Sequence, residues 1–248
     1  MVLYLPYNTA LHRLHPSTKI VALILLLILT VTFTQAWQQL IILAGVLSLA
    51  TLGRAFKNVR RILPLMLAIT LFSCVTWSLF KRDGIPFWTF GPLSLSSESI
   101  QYGIAMALRL NAMLLAGSVF ISSTRVEEFS YGLRALGLPF PVSFALSLSF
   151  RLVPLFFTRI GIVIQAQQSR GLDLGKGNLL QRARNYVPLL VPIFVYAIRD
   201  TDLLAMALES KGFGVGIRRT EYLTFGFGAV DVTILTALVS LNIVFWLV

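Results

Sequence analysis

The chain has little of what active sites and metal centres are usually built from. Of its 248 residues one is cysteine and two are histidine. Cys74 allows no disulfide framework and no thiolate metal site; set in an apolar run, it acts as a small hydrophobe. His12 and His15 have no further histidine to complete a metal site and are expected to be interfacial or solvated. Charge is also scarce, at 12% of residues, roughly half the share in a soluble domain. Acids are scarcest, 10 against 21 Lys and Arg. None lies near the middle of any of the five expected spans, and Glu98 and Asp231 fall at span edges, which leaves little ground for ion coupling inside a span.

Two further absences bear on catalysis. The glycines of KGFGVGIRR, residues 211–219, follow a helix end, whereas a phosphate-cradling loop needs a strand leading into a helix. The chain is therefore not expected to hydrolyse ATP. Arg199, Asp200, Asp202, Glu209 and Ser210 cluster without a histidine to serve as base. Asp202 and Glu209, seven residues apart on one helix face, are expected to form a solvated or partner-facing stripe. No cofactor or metal site is expected on this chain.

What is present is apolar surface: 56% of residues are hydrophobic and the mean hydropathy is +0.81. Lipid is the expected solvent, and the fold class is all-α, a polytopic membrane protein with about five transmembrane helices. The expected spans are residues 20–33, 37–52, 62–80, 100–121 and 230–248. The first two fall short of the ~20 residues needed to cross and borrow flanking anchors such as Lys19 and Trp37; together they read as a tight hairpin. Pro64 is tolerated near the start of the third. Arg109 and Asn111 lie in the fourth. They either line a substrate path or pack against helix ends and backbone carbonyls.

The net charge of +11 is topological rather than a nucleic-acid footprint. With the N-terminus in the cytoplasm and five crossings, 18 of the Lys and Arg residues fall inside and two outside, with Arg109 in a span. The short loop with Arg54, Lys57, Arg60 and Arg61 carries the rule most directly, and the C-terminus is then extracytoplasmic. Residues 140–164 and 186–208 are apolar enough to cross as well. A seven-span arrangement, however, would put Arg170, Lys176, Arg182 and Arg184 outside and Arg151 and Arg159 in lipid. The expected division is therefore a membrane region of four spans, 1–124, a cytoplasmic coupling region, 125–228, and a final span, 229–248.

Within the central region, Thr124 with Glu127 has capping-box spacing for a short amphipathic helix stopped by Gly137. A second helix is expected from about Pro141 to Arg170, bent at Pro154. A connector containing DLGKGNLLQRA then leads to a third helix ending at Lys211. The two long helices end alike, in Ser169-Arg170-Gly171 and Ser210-Lys211-Gly212, with matching residues 41 positions apart. Cation then glycine makes a good C-cap. A guanidinium at such a tip can also pair bidentately with a carboxylate in a partner's groove, which lysine cannot do.

These motifs carry a family resemblance that spans essentially the whole chain. His15-Pro16-Ser17 with Lys19, QQSRG at residues 167–171 and RDTDLLAMALESKGFG at 199–214 resemble the transmembrane coupling subunit of energy-coupling factor (ECF) ABC transporters for vitamins or transition metals. The resemblance implies that Arg170 and Lys211 dock into grooves on two ABC ATPase subunits, which bind ATP and magnesium. It also implies a small membrane-embedded substrate-binding S component that covers the apolar helices and topples to release its cargo. Lys211 stands where arginine is usual, Ser210 where alanine is common and His15 where aspartate is usual, so docking at the second tip is expected to be weaker. A self-sufficient transporter or channel using Arg109 and Asn111, and a membrane enzyme using residues 199–209, are the competing readings.

Overall fold

The computed structural model describes residues 9–80, 86–90, 93–214 and 225–247. Among them the elements in chain order are α1 (Ala10–Arg13), α2 (Pro16–Thr32), α3 (Ala36–Leu52), α4 (Phe56–Phe80), β1 (Pro86–Phe90), β2 (Leu93–Ser96), α5 (Ser97–Ser123), α6 (Val126–Ala135), α7 (Phe140–Ser169), α8 (Leu179–Asn185), α9 (Val187–Ser210) and α10 (Ala229–Leu247). The all-α class holds, with one small antiparallel hairpin in the loop between α4 and α5, where Thr89 pairs with Ser94 and Phe90 with Leu93. The chain forms two compact units, Met1–Ser143 with Phe225–Val248, and Phe144–Thr224.

Helix α5 is the axis of the first unit, packing against α2, α3 and α4. Its buried residues recur every four positions at Ser99, Gly103, Ala107, Asn111, Leu115, Val119 and Ser123, one row of a helix surface. Mostly small side chains in that row let neighbouring backbones approach closely, as helices in lipid do when water cannot drive them together. At Gly103 an added Cβ would lie 2.8 Å from Ser78 Oγ and 3.2 Å from the Cys74 carbonyl oxygen, so α4 touches α5 there. At the opposite end of the row, Val46, Ala50, Ala55, Val59, Leu115, Ala116 and Val119 make the hydrophobic core. Helix α10 packs on α2, and so does α6.

The outward faces are apolar. Leu71 and Phe72 on α4 are each 70% exposed, an arrangement favourable only in contact with hydrocarbon. Three helical stretches among the described residues are long and apolar enough to cross a bilayer: 58–80, 97–123 and 140–169. The apolar parts of α2, α3 and α10 are shorter. By length and composition α7 falls in the same class as α4 and α5.

Local expectations are corrected at three places. The N-cap of α6 is Arg125, not Thr124; its amide donates to Glu128, the third helical residue, at 3.4 Å. Glu128 takes the place expected of Glu127 because Lys19 holds its carboxylate at 3.3 Å. The connector after α7 is partly helical, since α8 occupies Leu179–Asn185 behind Asn178, whose amide donates to Gln181. His15 is buried rather than solvated, at 7% exposure.

Gly132 on α6 provides a direct test of the packing. A Cβ there would lie 2.8 Å from the Pro16 carbonyl carbon, and backbone cannot yield as a side chain can. Gly132→Ala is expected to destabilise the protein by about 1–3 kcal/mol, read by denaturant or thermal unfolding in detergent. Gly117→Ala, with nothing within 4 Å of its Cβ, is expected to be neutral or mildly stabilising.

Candidate functional site

The N-terminal motif HPSTK is a junction of helices. His15 caps α2: its Nδ1 accepts the Ser17 amide at 3.3 Å and lies 2.6 Å from Ser17 Oγ. This is the service an aspartate would give at an N-cap. The His15 amide donates to Asp231 Oδ1 at 2.9 Å, and the Gly228 amide donates to Asp231 Oδ2 at 2.9 Å, so one carboxylate ties the start of α10 to the start of α2. The imidazole sits edge-on to Tyr131, Phe225 and Phe227.

One turn on, Lys19 is not an interfacial anchor but a buried tie. Its ammonium donates to the His12 carbonyl at 3.0 Å, the Ser123 carbonyl at 3.1 Å and Glu128 Oε2 at 3.3 Å. Three donors meet three acceptors. Two of the acceptors lie at the C-terminal ends of α1 and α5, where carbonyls lack intrahelical partners and the helix dipole favours a cation. Asn58 adds a further tie at this end, donating to Ser122 Oγ at 2.7 Å.

Arg109 and Asn111 also have structural partners. Arg109 donates to the carbonyls of Val31, at 3.1 Å, and Phe33 at the C-terminal end of α2. Gln39 joins it there, donating to the Thr30 and Phe33 carbonyls at 2.8 and 2.7 Å. Arg109 is 14 residues from Ser123 and Phe33 is 14 from Lys19, about 21 Å along each helix. It therefore lies level with the α2–α3 turn, where the shorter helices stop. Asn111 donates to Thr70 Oγ1 at 2.6 Å and the Ala107 carbonyl at 2.9 Å, bridging α4 and α5.

In the second unit, the two predicted helix ends share one geometry. At the first, Leu172 N–H donates to the Gln167 carbonyl at 3.1 Å and Gly171 N–H to Gln168 at 2.9 Å, with Gly171 at φ +90°. At the second, Phe213 N–H donates to Leu208 at 2.9 Å and Gly212 N–H to Glu209 at 2.8 Å, with Gly212 at φ +75°. Both are Schellman caps, bond for bond. Each puts its cation at the cap position, exposed; among the described residues neither Arg170 nor Lys211 makes an ion pair. Ser169 and Ser210 bond back to their own helices at Gln165 and Ala207.

The helices behind these tips run in opposite senses. Phe144, early in α7, stacks on Phe213 with ring centroids 4.5 Å apart. Further along, Arg159 donates to the Tyr196 hydroxyl at 2.6 Å and lies 5.1 Å from its ring centre. Ascending α7 therefore means descending α9, and the cationic tips point to opposite ends, on the order of 30 Å apart by helix rise. Both helices are exposed or half-buried except at Ser143 and Leu189. Asp202 and Glu209 are exposed on α9 as expected, and Arg199, Asp200, Asp202 and Tyr196 line a shallow depression on that one helix. No group of three His, Cys, Asp or Glu able to hold a metal occurs among the described residues.

Fold and sites together define a polytopic, all-helical membrane protein with two matched cation-tipped helices. The chain matches the family described as cobalt transport protein, CbiQ, over residues 7–222. A Thermosediminibacter oceani protein named energy-coupling factor transporter transmembrane protein EcfT is 33% identical over 231 residues, covering 88% of this chain and 85% of that one. Proteins of the same name from Ruminiclostridium cellulolyticum and Acidaminococcus fermentans are 28% and 29% identical, covering 93% and 96% of this chain and 90% and 91% of their own lengths. The chain belongs to this family, the transmembrane components of energy-coupling factor transporters.

Sequence reasoning found the helix ends and missed the junction. Glu128 and Asp231 were readable only as helix-start acids, and Gln39 carried no signal. The available clue was scarcity, since an acid beside an apolar stretch in a chain with so few acids is a candidate for a buried partner. Lys19→Met is expected to destabilise by about 1–3 kcal/mol, because the His12 and Ser123 carbonyls lose their shared donor and half-buried Glu128 keeps only its 3.9 Å pairing with Arg125. Lys19→Met with Glu128→Leu is expected to recover part of that loss, as measured by a double-mutant cycle of unfolding in detergent.

Proposed function

We infer that this chain transmits ATP-driven motion within an importer for a vitamin or a transition-metal ion. Two ABC ATPase subunits, holding ATP and magnesium, grip Arg170 and Lys211, and a separate small S component in the membrane binds the cargo. The observation that carries the reading is the pair of identical Schellman ends presenting exposed cations at opposite ends of an antiparallel helix pair. One rigid partner with a single groove has no use for two such tips. Two grooves on an ATPase pair do, provided each offers a carboxylate to the cation.

The cap geometry supports the role because Ser169, Arg170 and Gly171, like Ser210, Lys211 and Gly212, fix the cation's backbone by two hydrogen bonds each. Preorganised docking groups lose less entropy on association. In this reading residues 125–228 act as the coupling region between the membrane segments 1–124 and 229–248. Chemistry at the nucleotide belongs to the partners, and this chain passes on displacement. The apolar residues left exposed on α7 and α9, among them Phe157 and Val191 at 68%, are then covered by the S component and lipid.

The same reading places the N-terminus, the Arg54–Arg61 loop and both tips in the cytoplasm and the C-terminus outside. In its support, the short basic loop, the start of α2 and the start of α10 all lie at one end of the first unit.

Arg170→Glu is expected to reduce co-purification of the ATPases roughly thirtyfold or more with membrane insertion unchanged, and Lys211→Glu to reduce it less. Lys211→Arg is expected to tighten the complex through the fork that lysine lacks. Unaltered co-purification by Arg170→Glu defeats the docking assignment. Lys176→Cys in a Cys74→Ser background is expected to react with a membrane-impermeant maleimide only after the cytoplasmic face is opened. Labelling in intact cells would reverse the topology.

A further inference from the structure

Within the first unit an apolar cleft opens at the same end as the basic α3–α4 corner. Leu11, Leu14, Leu23, Leu49, Val119 and Ile234 line it, so α1, α2, α3, α5 and α10 all contribute walls. Lys19 also borders it, but its three donors are already taken inside the protein. The lining is therefore hydrocarbon with no free polar group from that residue. Such a surface in a bilayer is filled by a chain of matching chemistry rather than by water.

Exposed cations neighbour the lining residues in the chain. Arg13 sits between the lining residues Leu11 and Leu14 and is exposed. Leu11 reaches Gly53 closely enough that an added Cβ would be 3.2 Å from its Cδ2, which brings α1 against the corner where Arg54 and Arg60 are also exposed. Arg54 takes φ +51°, a left-handed turn that swings the chain from α3 toward α4. Among the described residues none of Arg13, Arg54 and Arg60 makes an ion pair. Exposed guanidinium groups without carboxylate partners, set above a hydrocarbon cleft, match a phosphodiester with a fatty chain attached.

We propose that this cleft and the Arg13–Arg54 mouth bind one anionic phospholipid, with an acyl chain among the leucines and the headgroup phosphate on the two arginines. The lipid then fills the junction at which α10 meets α2 and α3 meets α5. It acts as a replaceable wedge in the membrane unit, and its binding does not depend on what the tips of α7 and α9 dock.

The test uses the purified full-length chain in neutral detergent, titrated with phosphatidylglycerol or with phosphatidylcholine of identical chains. Native mass spectrometry counts retained lipid and thermal unfolding reports stabilisation. One phosphatidylglycerol is expected to be retained roughly thirtyfold more tightly than phosphatidylcholine, from about 1 kcal/mol for each of the two cations near the headgroup. Arg13→Gln with Arg54→Gln, both exposed and so compatible with folding, is expected to erase the preference while leaving weak binding of both lipids. Ala22→Phe, which fills the cleft from α2, is expected to abolish retention of both. Equal retention of the two lipids by the unaltered chain overturns the proposal. So does a preference that survives the double substitution, or equal protection by glycerol phosphate, which would mean a free phosphate site without a lipid chain.

Discussion

The membrane unit depends on a buried ammonium ion. Lys19 has a side chain 4% exposed and would be costly in that position alone. It is tolerated because the ends of α1 and α5 supply two carbonyls as acceptors and Glu128 supplies the balancing charge. The interaction therefore does more than stabilise a pair of residues. It fixes where α5 must stop, where α6 must begin and which acid caps α6, because the carboxylate that Lys19 holds is the one that receives the Arg125 amide. Asp231 performs a parallel task on the neighbouring turn. A single carboxylate caps its own helix and receives the His15 amide, joining α10, distant in sequence, to the start of α2.

Around that polar junction the packing is of the kind lipid permits. Small residues along α5 let α4 approach at Gly103, and the helices' outward sides are apolar because nothing is gained by hiding hydrocarbon from hydrocarbon. Polar side chains within the unit are spent on helix ends: Arg109 and Gln39 on the last carbonyls of α2, Lys19 on those of α1 and α5. An arginine within an apolar helix invites a transport interpretation. Here the short length of α2 brings its last carbonyls to the level of Arg109, and they accept from its Nη2.

The sequence was most legible where the determinants are local. Helix ends at Gly137, Gly171 and Gly212 follow from glycine's access to positive φ, and the long apolar helices follow from hydropathy. It was less legible where partners are far apart in the chain. The burial of His15 depends on Tyr131, Phe225 and Phe227, and the choice of Glu128 over its neighbour depends on Lys19, more than a hundred residues earlier. Spacing favoured Thr124 with Glu127 by one position, and a tertiary charge shifted the cap to Arg125 with Glu128. The hairpin β1–β2 was hidden because a span-counting reading treats any polar connection as a loop. Of the two paired tips, their existence was visible in the sequence; their opposed directions emerged only from the contacts Phe144–Phe213 and Arg159–Tyr196.

Helix α7 has 30 residues, making a rod about 45 Å long. Over that length a tilt of only about 10° sweeps one end through roughly 8 Å relative to the other. Pro154 stands midway along it without an amide hydrogen to give, so the rod carries a softer joint near its centre. In the proposed coupling role, a push at the arginine end would be magnified by leverage and partly absorbed by bending, and the stiffness of that one proline-bearing turn would set how much of the stroke arrives.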